Sequence, residues 1–81
     1  MADAAPDAHD RAASELAHVV KQRRTSLRLR QEDVADLAGV SLRFVQSVEA
    51  GKTTLRLDKL AAVLDVLGLK LTAEPVRRVT R

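Results

Sequence analysis

Residues 31–52 read QEDVADLAGVSLRFVQSVEAGK, two short apolar patterns at helical spacing divided by Gly39. A glycine inside one long helix costs roughly 1 kcal/mol against alanine. The pattern therefore predicts two short helices hinged at Gly39. The first, over residues 31–38, turns Val34, Ala35, Leu37 and Ala38 inward. Ser41 caps the second, which runs to about Ala50, buries Val45 and Val48, and stops at Gly51. Short helices cannot bury themselves, so the rest of the chain must supply a bundle around them.

That bundle is legible on both sides. Upstream, Ser14 is an expected N-cap, and Leu16, Val19, Val20 and Leu27 recur on one side of a helix that ends near Thr25 or Ser26. Downstream, a helix from about Leu55 to Leu67 is apolar at Leu57, Leu60, Ala61, Val63, Leu64 and Leu67, and stops at Gly68. The period then changes to two. In LKLTAEP, Leu69, Leu71 and Ala73 alternate with Lys70, Thr72 and Glu74, the pattern of a strand ended by Pro75. A single strand cannot satisfy its own backbone. The expected partner is the same strand of a second copy, so Leu69, Leu71 and Ala73 are the expected dimerisation residues.

With 81 residues, the chain buries only about 60% of its unfolded surface, which also favours help from a second copy. The reading divides it into a flexible leader (1–12), a folded domain (13–75) and a basic tail (76–81). No cysteine is present, so disulfides and thiolate metal sites are excluded. His9 and His18 read as ordinary polar residues, and no metal or other cofactor is expected. No apolar run reaches membrane-spanning length and the acidic start is not a signal peptide, so a cytoplasmic, nucleoid-associated protein is expected.

Net charge is +3, unevenly spread. Residues 1–20 carry four carboxylates against Arg11, or −3, and residues 21–81 carry 13 basic and 7 acidic side chains, or +6. Lys21, Arg23, Arg24, Arg28 and Arg30 fall within ten residues that hold no acid. Such a cluster suits either a polyanion or a solvated helix face. Phe44 is the only aromatic residue and reads as core, which argues against base stacking on single strands.

Two helices joined at a glycine-bearing turn, the second opened by Ser and polar on one side, have the form of a helix-turn-helix. In that motif the second helix enters the major groove. Ser41, Leu42, Arg43, Gln46 and Ser47 lie opposite Val45 and Val48, and form the expected reading face. Arg43 has the fork to bond guanine O6 and N7, Gln46 the amide to pair with adenine, and Leu42 offers only apolar contact. Gln31 stands at a helix N-terminus, where an anion is favoured. Lys52, Arg28 and Arg30 are the other expected phosphate contacts.

The run RQEDVADLAGVSLRFVQSVEAGK resembles Xre/Cro-type repressors, and with RLDKLAAVLDVLGLKLT it is most similar to HipB-type antitoxins. The resemblance covers about residues 16–74. It implies an all-α, lambda-repressor-like bundle of four to five helices, with the C-terminal β-strand pairing across a dimer. It also implies that Gln31 touches the DNA backbone and braces the reading helix, and that Arg24 and Glu49 form a structural brace. Three residues depart from the family. Gly is common where this chain has Arg28, and Ser, Thr or Asn where it has Arg30. Leu42 replaces a polar reader. Arg28 must either adopt a left-handed conformation or end the first helix differently, and Arg30 cannot cap as Ser does.

The resulting expectation is a non-enzymatic, homodimeric repressor of a palindromic double-stranded operator. The resemblance further implies the antitoxin of a HipBA-like module, with a HipA-like kinase as partner and no small-molecule substrate. The alternatives are a stand-alone regulator and an interaction module that neutralises a protein partner. No phosphate loop, His-carboxylate pair or Ser-His-Asp set points to catalysis.

Overall fold

Helix ends organise this chain. The computed structural model describes residues 8–77, and among them four helices form: α1 (Ala8–Ser26), α2 (Gln31–Ala38), α3 (Leu42–Glu49) and α4 (Leu57–Val66). At the end of α2, Gly39 takes φ 71°, its amide donates to the Asp36 carbonyl at 3.4 Å, and the Val40 amide donates to Ala35 at 3.0 Å. This closure turns the chain sharply and satisfies carbonyls that a helix end otherwise leaves open. Ser41 follows in extended backbone (φ −76°, ψ 154°), and its Oγ accepts the Phe44 amide at 3.0 Å, which starts α3.

The end of α1 uses the same closure with a different residue. The Leu29 amide donates to Arg24 at 3.1 Å and the Arg28 amide to Thr25 at 3.0 Å, while Arg28 adopts φ 60°. Of the two ways for α1 to end, the chain takes the left-handed one. That conformation costs a residue with a Cβ roughly 1–2 kcal/mol.

α3 packs between α1 and α2, and α2 packs on α4. Val20 of α1, Val34 of α2, Val45 and Val48 of α3, and Val63 of α4 with Leu67 just beyond it are fully buried, and Leu16, Leu29, Val40, Phe44, Leu55, Val66 and Leu69 pack around them. No helix of the described residues is long and apolar enough to cross a membrane.

Several expectations are corrected. α1 begins at Ala8, and Ser14 is an exposed residue inside it rather than its cap. Residues 8–12 of the expected leader are therefore helical. Alanine has the highest helix propensity, and Ala13 and Ala17 give the added turns a buried face. Residues 1–7 of the leader and 78–81 of the tail lie outside the described residues. Val19, Leu27, Leu37 and Leu57 were expected inside and are 41–66% exposed. Val19 and Leu37 sit at the edge of their helices' apolar stripes, Leu57 is the first residue of α4, and Leu27 lies in the turn after α1.

The strand is also corrected. No strand forms among the described residues, and residues 69–77 carry no regular structure. The Leu69 amide instead donates to the Leu64 carbonyl at 2.8 Å and closes α4, so Leu69 belongs to the helix end and packs on the core. Leu71 and Ala73 are exposed. An alternating pattern records which faces differ; it supplies no partner for the backbone.

Candidate nucleic-acid interface

One carboxylate holds α3 from below. Arg24 Nε donates to Glu49 Oε2 at 2.6 Å and its Nη2 to Oε1 at 3.0 Å, while Nη1 donates to the Leu29 carbonyl at 2.9 Å. Gln31 Nε2 donates to Glu49 Oε1 at 3.1 Å. Glu49 thus ties α1, α2 and α3 together. The Arg24 and Glu49 side chains are only 12% and 5% exposed. The hydrogen bonds that Arg24 donates to Glu49 outweigh the opposing effect of burial and raise the Arg24 pKa above its ordinary value.

On this base α3 presents Leu42, Arg43 and Gln46 to solvent, with Leu42 39% exposed. Ser41 is exposed but its Oγ is engaged as the cap, and Ser47 is half-buried at the edge of the face. Lys52 is exposed directly after α3, in the turn whose Lys52 amide donates to the Ser47 carbonyl at 3.1 Å. Gln31 is half-buried at the first position of α2.

Arg30 occupies the N-cap of α2 with extended backbone (φ −89°, ψ 165°). A guanidinium has no acceptor, so the usual capping relation is reversed. Asp33 accepts the Arg30 amide at 2.7 Å and pairs with its guanidinium at 3.4 Å. That amide bond first, and then the guanidinium, lower the Asp33 pKa, and the pairing raises that of Arg30. A lowered carboxyl pKa stabilises the fold above the unfolded value and loses this as pH falls through the folded one. The first turn of α2 is therefore expected to loosen only under acidic conditions.

Three-dimensional contacts sort the basic cluster seen in the sequence. Arg24 serves Glu49 and Arg30 serves Asp33. Arg23, whose role the sequence reading missed, donates from Nε to the Leu67 carbonyl at 2.7 Å, where it holds the C-terminus of α4 against α1. No sequence signal links partners 44 positions apart. Lys21 and Arg28 remain exposed, with no carboxylate paired to either among the described residues.

Arg28 makes a separable prediction. Arg28→Gly removes the left-handed penalty, partly offset by glycine's greater unfolded freedom, and should stabilise the fold by about 1 kcal/mol. The melting temperature should rise by about 4–8 °C. Binding to duplex DNA should weaken at the same time. A variant that is both less stable and unaltered in binding would contradict the assignment.

An open cleft of about 390 Å³ adjoins the exposed face of α3, lined by Lys21 and Arg24 of α1, Gln31 of α2, and Gln46, Glu49 and Ala50 at the end of α3. Gln31 and Gln46, from two different helices, thus border one depression.

Comparison with known proteins gives the family. The helix-turn-helix family model HTH_3 matches residues 20–73. The chain is 38% identical over 58 residues, 72% of its own length and 76% of the relative's, to a protein of Sinorhizobium fredii (strain NBRC 101917 / NGR234) named as an uncharacterized HTH-type transcriptional regulator, y4mF. The match takes in α2, α3 and α4, together with the end of α1 that braces them. The chain belongs to the Xre-type helix-turn-helix family.

Proposed function

We propose that this protein is a sequence-specific regulator of transcription that binds double-stranded DNA, with α3 in the major groove. The observation that carries the reading is the exposed Leu42, Arg43 and Gln46 face of a helix whose other side is locked by the Glu49 brace. A rigid helix with free polar readers is what base discrimination requires. Arg43 and Gln46 read bases, Leu42 meets a thymine methyl, and Ser41 and Ser47 border them. Gln31, Lys52, Arg28 and Arg30 hold phosphates, Arg30 by exchanging Asp33 for the DNA.

The protein acts as a homodimer, with Leu71 and Val76 of the C-terminal segment at the seam. Among the described residues, Leu71 is 44% and Val76 78% exposed. The finer role is that of an antitoxin repressing its own operon together with a kinase partner, a reading supported by the resemblance of residues 56–72 to HipB-type proteins. A stand-alone regulator is the second reading, favoured by the name of the relative.

Selection of bound duplexes from a random pool tests the main reading. It should return a palindrome whose half-sites lie about 34 Å apart or a multiple of this. A pool with no enriched sequence would overturn it. A chain ended after Leu69 should sediment as a monomer at concentrations where the full chain is dimeric; an equally tight dimer would exclude the C-terminal seam.

A further inference from the structure

Lys21 stands out among the basic residues of α1. Its neighbours Arg23 and Arg24 are each held by a partner inside the fold and Arg30 pairs with Asp33 at the surface, whereas the Lys21 ammonium is exposed and has no partner among the described residues. It forms one wall of the cleft between α1 and α3. The floor is the Arg24–Glu49 pair, whose charges cancel, so Lys21 leaves the cleft with one positive charge. The lining also carries two neutral amides, Gln31 and Gln46. Gln31 gives one amide hydrogen to Glu49 and keeps the second. A site with one net positive charge and amide donors suits one anionic group better than a neutral or a cationic one.

We propose that this cleft seats a phosphate of the bound DNA strand and that Lys21, on α1, is its charge partner. Resting on the DNA-binding reading above, the proposal extends the contact surface from the helix-turn-helix onto α1. Lys21 neutralises the phosphate while Gln31 orients it. Because Glu49 holds both Gln31 and the Arg24 side chain, the cleft is shaped before DNA arrives. Gln46, on the shared rim, is thereby registered against the base step beside that phosphate.

The test measures affinity of the full chain for its selected duplex between about 50 and 200 mM salt. Loss of one phosphate contact lowers the slope of log K against log salt by about one. Lys21→Ala should do this and weaken binding about fivefold to tenfold, with an unchanged melting temperature. Lys21→Arg should retain the slope. Lys21→Ala and Gln31→Ala together should lose less than the sum of the two, since both act on one phosphate. Lys59→Ala, which removes an equal charge from an exposed position of α4 outside the cleft and outside the proposed seam, is the control. A slope change for Lys21→Ala no larger than for Lys59→Ala overturns the proposal, as does full additivity with Gln31→Ala. Failure of the unaltered chain to bind any duplex would instead overturn the DNA-binding reading itself.

Discussion

Glu49→Ala should destabilise the fold by about 3 kcal/mol, the scale at which breaking a buried ion pair operates. The variant leaves Arg24 with a charge that is only 12% exposed, and strips Gln31 of its partner. A domain of this length has roughly 4–12 kcal/mol in total at 0.05–0.15 kcal/mol per residue. One side chain therefore accounts for a large share of it. Urea denaturation measures the loss. Glu49→Gln, which keeps the shape but not the charge, should fall between. Replacing both partners, Arg24→Met with Glu49→Leu, should recover most of the stability, because the expense lies in the orphaned charge and not in the absence of a bridge. A loss below about 1 kcal/mol in Glu49→Ala would show that the brace carries little. The double variant should still bind DNA poorly, since Gln31 and the floor of the cleft no longer have fixed positions.

Arg43→Ala should act in the opposite way, with binding lost and stability kept. Arg43 is exposed on the first turn of α3, so its removal leaves the core intact. A bidentate contact to guanine is worth about 1–3 kcal/mol of discrimination, or roughly 5- to 150-fold in affinity for the selected site. Random DNA should lose far less. Arg43→Lys should not rescue the preference, because an ammonium lacks the planar fork. Equal losses on selected and random duplexes would make Arg43 a phosphate contact and leave Gln46 as the sole candidate for direct reading. Together the two variants separate the scaffold from the proposed reader: Glu49 is expected to act through shape and Arg43 through chemistry at the DNA.

The turn-forming features were legible because each spans only a few residues. Gly39 ends α2, and Ser41 opens α3 by accepting an amide three positions on. Val45 and Val48 face inward because helix geometry alone puts them there. The resemblance to a known family, rather than local logic, marked Arg28 as a place where glycine is common, and left open which conformation it takes; φ 60° is the outcome. Where local logic was stretched it erred. Ser14 has the chemistry of an N-cap, yet helix propensity and the burial of Ala13 and Ala17 carry α1 back to Ala8. Leu37 and Leu57 have the right spacing for a core, but a spacing shows only that residues share a stripe, and how wide a stripe gets covered depends on the neighbouring helix.

By itself, then, the sequence determined the four helices' identity, the hinge between α2 and α3, and which side of α3 faces solvent, since these follow from bonds and periodicities within one helix or turn. The tertiary structure alone decided how the basic residues are employed. Arg24 reaches Glu49 across 25 positions, Arg23 reaches Leu67 across 44, and Lys21 reaches no acid among the described residues. In the sequence these three are interchangeable positive charges within four residues. Only the packing of α1 against α3 and α4 brings a carboxylate to one, a helix end to another and an open cleft to the third.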